Sequence, residues 1–362
     1  MILPVEYPPI TSSPEYADLL SAILPRKSGR DWLYNNFIQL FVDFSYFDYG
    51  EIRFRENLFA LNKLPDFFYY QYNPFIHCYT VAEDFSLFFD ADRLVDKLKA
   101  FIDNGYYVIV YLDRHFIDAK HKKGSLHNAL VYGYDDSSFK IADFVSESGG
   151  YLYTQIYFSD VIASFGAEHA LKREFGVDSR CKLVMFKVKD AEYQRDDVLM
   201  RKLIEDYYHE RNTTESYECL RRLSDNQNAI WGMGCIKHVA LSLNQIASAA
   251  DHTYERELSR MTHKELAALK GVHMLLEHKT VMKDRIGYLH EKGIIEDEKR
   301  LFEYGSIVDT MKTCMNRVVQ YGYSGRVEQL TLAVSKLDEV YNEEKIFFRK
   351  LLEEPWAGVA RK

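Results

Sequence analysis

The sequence predicts a chain of two parts, an α+β half followed by an all-α half, from three observations. Between Asp31 and Lys189, short amphipathic helices alternate with runs rich in aromatic and β-branched residues, which are typical of strands. After about Asp196, apolar residues recur at helical spacing and prolines are few. The charged stretch DAEYQRDD between these parts has no apolar period. We therefore predict an α+β domain over residues 1–190 and a helical domain over residues 191–362.

The first half opens with two predicted helices and a strand. Asp31 stands in an N-cap position, and the residues WLYNNFIQLFVDF after it predict a helix. The segment YNPFIHCYTVAE predicts a strand, because it is rich in aromatic and β-branched residues. The segment RLVDKLKAFIDNG predicts an amphipathic helix, because Leu94, Leu98 and Ile102 are spaced by four and Gly105 can end it.

The rest of the first half predicts strands. Tyr107–Leu112 is almost continuously apolar, as in a buried strand, and Leu183–Val188 is a further strand. Ala129–Tyr134 and Phe139–Asp143 flank the residues Asp-Asp-Ser-Ser, which have the side chains that favour a turn. We therefore expect these two strands to be adjacent and antiparallel.

The second half is predicted to be a helical bundle. Thr262-His-Lys-Glu265 forms a capping box ahead of a long helix that ends before Gly293. Its predicted buried stripe consists of Leu266, Leu269, Val272, Leu276, Met282, Ile286 and Leu289. Further helices are predicted over 197–210, 215–223, 232–253, 296–321 and 326–352. His278 is expected at the surface or in an interface, and Cys235 and Cys314 in the core.

Composition excludes several classes of protein. The net charge of −8 and the isoelectric point near 5.9 give no electrostatic attraction to nucleic acids or acidic membranes. No secretory signal or long apolar span is visible, so we expect a cytoplasmic protein. The five cysteines are irregularly spaced, and motifs for nucleotide or zinc binding are absent from the sequence. We therefore predict no metal and no cofactor.

One pair of residues suggests chemistry. His127 opens the first strand of the predicted hairpin and Asp143 ends the second, so antiparallel pairing brings them side by side. A carboxylate in that position can accept a hydrogen bond from the imidazole, fix its tautomer and stabilise the imidazolium. This arrangement suits a general base for a thiol or hydroxyl nucleophile. Taken alone, the pair also fits a purely structural contact.

The motif His-x-x-x-Val-Tyr-Gly-Tyr-Asp with a following Ile-x-Asp resembles the papain-like fold of bacteriocin-exporter peptidase domains. More closely, it resembles the butirosin-biosynthesis acyltransferase family and its relatives encoded beside nonribosomal peptide synthetases, including the closthioamide amide-forming enzyme. The run NGYYVIVYLD before the histidine and the helix EHKxxMxxRxxYL in the second half are similar to segments of those proteins. The resemblance covers residues 28–190 best and implies a papain-like antiparallel sheet with packed helices.

The resemblance implies a Cys–His–Asp mechanism, with His127 as the general base and Asp143 as its orienting partner. The nucleophile is less clearly placed, because the helix beginning at Asp31 contains no cysteine. Cys78 is the only cysteine before His127, and it lies in a predicted strand. Two alternatives stay open. Either the strand prediction is wrong and Cys78 starts the nucleophile helix, or this chain has lost its nucleophile.

The resemblance therefore leaves two functions. The first is acyl transfer or amide-bond formation in secondary-metabolite biosynthesis, from a thioester on an acyl or peptidyl carrier protein to a small-molecule amine. The acyl group would be carried on a phosphopantetheine arm, and the enzyme itself would need no cofactor. The second is a catalytically inactive scaffold or binding protein of a nonribosomal synthetase assembly. A homodimer is an open alternative to a monomer in both cases.

Overall fold

The chain forms two compact units. A computed structural model describes residues 1–44, 50–55, 75–81, 91–117, 126–144, 150–164, 183–213, 229–249 and 263–357. The sheet unit comprises Met1–Arg30 and Leu64–Tyr193, and the helical unit comprises Asp31–Lys63 and Gln194–Lys362. The predicted domain boundary at residue 190 therefore lies close to the end of the sheet unit. The prediction is wrong for residues 31–63, which belong with the helices.

The elements follow one another in a mixed order of helices and strands. They are α1 (Pro14–Ile23), α2 (Lys27–Asn35), β1 (Gln39–Asp43), β2 (Glu51–Arg55), β3 (Ile76–Val81), α3 (Ala91–Asp103), β4 (Tyr107–Asp113), the short 3₁₀ helix η1 (Arg114–Phe116), β5 (Leu126–Tyr134), β6 (Ser138–Asp143), β7 (Leu152–Tyr157), β8 (Leu183–Val188), α4 (Asp197–Tyr208), α5 (Gly234–Ala249), α6 (His263–Glu291), α7 (Lys299–Ser324) and α8 (Val327–Glu353).

The sheet unit is built on a six-stranded sheet in the order β3-β8-β4-β5-β6-β7, and each neighbouring pair is antiparallel. β4 is buried along nearly its whole length, as its apolar run predicts. α3 buries Leu94, Leu98 and Ile102 completely, and Gly105 follows it with a φ of 81°. That left-handed conformation favours glycine and ends the helix. The α+β prediction is confirmed at the level of a mixed fold with an antiparallel sheet.

The hairpin of β5 and β6 is the feature that positions the candidate site. Asp135 fixes the turn, because its Oδ1 accepts hydrogen bonds from the backbone N–H groups of Ser137 (3.0 Å) and Ser138 (2.8 Å). The ammonium group of Lys140, and then these hydrogen bonds, hold the pKa of Asp135 well below its usual range. The predicted antiparallel pairing of these two strands is confirmed.

The helical unit contains a second, two-stranded sheet of β1 and β2 in addition to its helices. β1 is joined to the segment before α5 by backbone hydrogen bonds. Val42 N–H donates to Ile230 O, and Gly232 N–H donates to Leu40 O, both at 2.8 Å. These bonds explain why residues 31–63 group with the helices. Among the described residues after 196, the predicted helical character is confirmed, with α4 to α8 accounting for most of them.

The helix predicted from Asp31 through WLYNNFIQLFVDF is wrong, because α2 begins at Lys27 and ends at Asn35. The cause is a distant arginine on α6. Arg285 donates from Nε to Tyr34 O and from Nη2 to Asn36 O, each at 2.7 Å, and so satisfies carbonyl groups at the end of α2. The next residue, Phe37, has a φ of 52°, and β1 follows.

A buried polar cluster lies at the centre of the helical unit. Lys279 and Glu344 form an ion pair at 2.8 Å with both side chains fully buried. Lys279 Nζ also donates to Tyr207 Oη (2.6 Å), and Tyr304 Oη donates to the other carboxylate oxygen of Glu344. Burial raises the pKa values of both tyrosines well above the usual range, and the charge of Glu344 adds to this effect. The two phenols therefore stay protonated donors.

The same cluster corrects the prediction for α6. His278 is fully buried and not at the surface, because its Nε2 bonds to Ile38 O at 2.8 Å. Val272, Met282, Ile286 and Leu289 are buried as predicted, whereas Leu266 is 43% exposed. α6 therefore buries polar side chains, namely His278, Lys279 and Arg285, together with its apolar ones. Cys235 and Cys314 are buried as predicted.

We predict that Glu344→Gln destabilises the helical unit by about 3–5 kcal/mol, because it leaves the ammonium group of Lys279 buried beside a neutral amide. The double replacement Lys279→Met/Glu344→Leu should recover only part of this loss, since it removes both charges but leaves the buried phenols of Tyr207 and Tyr304 without their acceptor. The measurement is chemical unfolding followed by circular dichroism. The matched control is Asp309→Asn, which removes the carboxylate from an exposed ion pair with Lys312. Equal unfolding midpoints for Glu344→Gln and the control would contradict the prediction.

Candidate active site

His127 and Asp143 form a hydrogen-bonded pair on one face of the β5–β6 hairpin. Leu130 pairs with Ala142, and this register places Ala129 opposite Asp143. Since side chains alternate along a strand, His127 shares the face of Ala129 and is a diagonal neighbour of Asp143. His127 Nδ1 lies 2.8 Å from Asp143 Oδ1. The predicted hydrogen bond is confirmed, while the catalytic role stays a prediction.

The contacts of the His127 ring define its neutral tautomer. Nδ1 lies 2.8 Å from Asp143 Oδ1 and 2.9 Å from the backbone oxygen of Asn128. A carboxylate and a carbonyl oxygen only accept hydrogen bonds, so Nδ1 carries the proton. The neutral ring then keeps its lone pair on Nε2. The His127 side chain is 24% exposed, whereas the Asp143 side chain is 1% exposed.

The carboxylate of Asp143 is held by three neighbours. Besides the imidazole, its Oδ1 accepts a hydrogen bond from the backbone N–H of Phe144 at 2.6 Å. The guanidinium of Arg114 approaches the same oxygen, with Nη2 at 3.5 Å. Oδ2 of Asp143 is buried and has no hydrogen-bond partner among the described residues. Asp143 is thus fixed through Oδ1, whereas Oδ2 could still accept a hydrogen bond.

The opposite face of the hairpin is tied to α1 through a buried carboxylate. Asn128, the neighbour of His127 in β5, donates from Nδ2 to Asp18 Oδ2 at 2.9 Å. Tyr151 donates from its phenol to Asp18 Oδ1, also at 2.9 Å. Burial, and then the charge of Asp18, raise the pKa of Tyr151 well above its usual range, so it remains a donor. These bonds hold β5 against α1 and fix the strand that carries His127.

Aromatic rings cover one side of the pair. Phe144 contacts the His127 ring edge to face, with ring centroids 5.9 Å apart, and contacts the Tyr151 ring in the same manner at 5.3 Å. Such contacts restrict the orientation of the imidazole ring. The pair is therefore positioned by the strand register, by Phe144 and by two acceptors on Nδ1.

The structure corrects the hypothesis that Cys78 is the nucleophile of this pair. Cys78 lies in β3, which is separated from β5 by β8 and β4. Three strand spacings of about 4.8 Å place β3 about 14 Å from β5. Cys78 pairs with Phe186 of β8, which in turn pairs with Tyr107 at the start of β4. His127 pairs with Leu112, near the other end of β4. Its sulfur cannot reach the ring, because the strand prediction for this segment is correct.

Three features of the site were not predicted from the sequence: Arg114, Phe144 and the Asn128–Asp18 contact. Arg114 follows the last residue of β4, and that strand end pairs with the start of β5, where His127 lies. The predicted order of β4 and β5 could therefore have placed Arg114 near the pair. Phe144 directly follows Asp143, which places it beside the pair as well. The Asp18 contact joins residues 110 positions apart, and nothing in the local sequence indicates it.

The described part of the chain contains no cluster of three His, Cys, Asp or Glu side chains arranged to hold a metal ion. No helix in that part is both long enough and apolar enough to cross a membrane. No protein-family model matches the sequence, and no curated protein matches it either.

We predict that His127 and His278 are opposite neutral tautomers. His127 should carry its proton on Nδ1, and His278 on Nε2, because Nε2 of His278 bonds to Ile38 O and its Nδ1 accepts from Lys279 Nζ at 3.3 Å. Burial, and then the charge of Lys279, lower the pKa of His278 well below its usual range, so that ring is neutral near pH 7.

The measurement is nitrogen-15 NMR of histidine side chains, with each signal assigned by substitution. A neutral His127 ring with its proton on Nε2 would contradict the proposed geometry. His278 serves as the internal reference in the same spectrum, since its partners impose the other tautomer.

Proposed function

We propose that the His127–Asp143 pair is the general base of an acyltransferase that moves an acyl group from a carrier-protein thioester to an amine. The observation that carries this proposal is the pair of acceptors on His127 Nδ1, at 2.8 and 2.9 Å, which leaves the Nε2 lone pair available. The resemblance to papain-like acyltransferases of nonribosomal peptide biosynthesis supports the choice of substrate. An acyl or peptidyl carrier protein with its phosphopantetheine arm would be the donor.

The reaction needs no nucleophile from the protein. A thioester is already activated, so the nitrogen of the amine attacks the thioester carbon directly while one N–H proton passes to His127 Nε2. A carbon–nitrogen bond forms, the carbon–sulfur bond breaks, and the imidazolium returns its proton to the departing thiolate. General-base catalysis of this kind contributes roughly 10²–10⁴-fold to a rate. Water in place of the amine would give hydrolysis by the same steps.

Asp143 has an electrostatic part in this scheme. Its buried carboxylate lies against the nitrogen that remains protonated, so it stabilises the imidazolium formed during attack. Because Oδ1 also accepts from Phe144 N–H, an asparagine at this position would keep an oxygen in the same place. Asp143→Asn therefore removes the charge while it leaves the tautomer of His127 unchanged.

A second candidate is an inactive scaffold or binding protein of a synthetase assembly. It is favoured by one observation: among the described residues, no thiol or hydroxyl forms a hydrogen bond with the His127 ring. A chain that once used a cysteine nucleophile and lost it would have this arrangement. The two functions differ in whether His127 is needed for turnover.

We predict that His127→Ala and Asp143→Asn each lower the rate of amide formation about 100-fold or more, because each removes the base or its stabilising charge. The assay follows thiol release and amide formation from a panel of acyl-pantetheine thioesters and small amines. Cys78→Ser should keep the full rate, since Cys78 lies three strands away. His77→Ala, which removes an exposed histidine from the same sheet, is the matched control.

Loss of activity in Cys78→Ser alone would refute the direct mechanism. Turnover that is equal in the wild-type protein and His127→Ala would favour the scaffold, as would a complete lack of turnover across the panel.

A further inference from the structure

The backbone next to Arg114 is held in a fixed position beside the His127–Asp143 pair. The preceding residue, Asp113, donates its backbone N–H to Ser164 Oγ at 2.5 Å, and Ser164 Oγ–H donates back to the Asp113 carbonyl at 3.3 Å. The side chain of Asp113 caps η1 by accepting from His115 N–H at 3.1 Å. Ser164 is fully buried. The backbone from which Arg114 projects is thus bonded on both sides.

Polar atoms without partners gather at this place. Nε and Nη2 of Arg114 and Oδ2 of Asp143 are buried and have no hydrogen-bond partner among the described residues. Arg114 Nη2 lies 3.5 Å from Asp143 Oδ1, and this oxygen lies 2.8 Å from His127 Nδ1. The distance from Nη2 to the His127 ring is therefore at most 6.3 Å, the sum of the two. Buried polar groups are normally bonded, and those that are not require an explanation.

The unused atoms define what a ligand must supply. The Arg114 guanidinium has only donors, and its planar fork suits a carboxylate. Asp143 Oδ2 is an acceptor and requires a donor. A carboxylate satisfies the guanidinium with a single negative charge, whereas a phosphate brings about 1.5–2 negative charges beside Asp143. The Arg114 side chain as a whole is 16% exposed, so it lies at the border between the buried pair and solvent.

We propose that the amine acceptor is an amino acid whose carboxylate is bound by Arg114, next to His127. This inference rests on the proposed acyl transfer, and it names the acceptor class for it. The carboxylate bonds to the guanidinium, and the amine beside it faces the Nε2 lone pair of His127. The bonds made and broken are those of the acyl transfer itself, and the carboxylate is unchanged by the reaction. Arg114 is then the residue that selects the acceptor.

The test compares glycine with glycinamide as acceptors, at equal concentrations of the unprotonated amine and with one acyl-pantetheine donor. We expect the wild-type protein to prefer glycine by roughly tenfold or more in kcat/KM, the size expected for a hydrogen bond to a charged group. Arg114→Gln should abolish this preference through the KM for glycine, and Arg114→Lys should restore part of it. Arg30→Gln, which removes an exposed arginine of the same unit, should keep the preference.

A second measurement does not depend on turnover. Glycine added to protein with labelled histidines should shift the NMR signals of the His127 ring, glycinamide should not, and Arg114→Gln should abolish the shift. Glycine binding at His127 without acyl transfer would support the anion site and refute the proposed function. Acyl transfer with no preference for glycine would refute the inference and leave the function standing.

Two further outcomes would overturn the inference. In the first, Arg114→Gln lowers kcat equally with both acceptors, which would indicate that Arg114 only positions Asp143. In the second, the arginine sets a preference for a succinyl over an acetyl donor, which would place the bound carboxylate on the acyl group. Absence of any glycine-induced shift in the wild-type protein would also overturn it.

Discussion

A charge that is removed from water must be matched by partners inside the protein, and both units are organised by this constraint. In the helical unit, Lys279, Glu344 and Arg285 are all fully buried. The ion pair of Lys279 and Glu344 joins α6 to α8. The phenols of Tyr207 on α4 and Tyr304 on α7 donate to Glu344 and so bind these two helices to the same cluster. The guanidinium of Arg285 fixes the end of α2. In the sheet unit, Asp18 and Asp143 have the same effect on α1, β5 and β6.

The two units differ in how completely the buried charges are matched. Both carboxylate oxygens of Glu344 have hydrogen-bond donors, so its surroundings leave nothing for a ligand to satisfy. At Asp143, one oxygen is bonded and the other is not, and the neighbouring Arg114 has unused donors. A saturated network stabilises a fold, whereas an unsaturated one beside an open imidazole is typical of a binding site. That contrast separates a structural cluster from a candidate active site within one chain.

Local sequence predicted what local forces determine. The turn at Asp135 and the helix ending at Gly105 depend on side chains within a few positions, and both were predicted correctly. The hairpin then placed His127 beside Asp143 without further information. Errors arose where a distant residue decides: Arg285 ends α2, and the Ile38 carbonyl draws His278 into the core. Cys78 illustrates a third case, in which a correct strand prediction excluded one of the two alternatives that were open for the nucleophile.

The late arrival of Arg285 has a consequence for folding during synthesis. β1 binds the segment around Ile230, and the end of α2 binds Arg285 on α6. These partners leave the ribosome about 190 and 250 residues, respectively, after the segments that they bind. The strands of the sheet unit, including β8, are translated in that interval. One edge of β1 therefore lacks its backbone partners while the sheet unit is completed, and exposed strand edges readily associate with other chains. We therefore expect the nascent chain to be most prone to association at that stage of its synthesis.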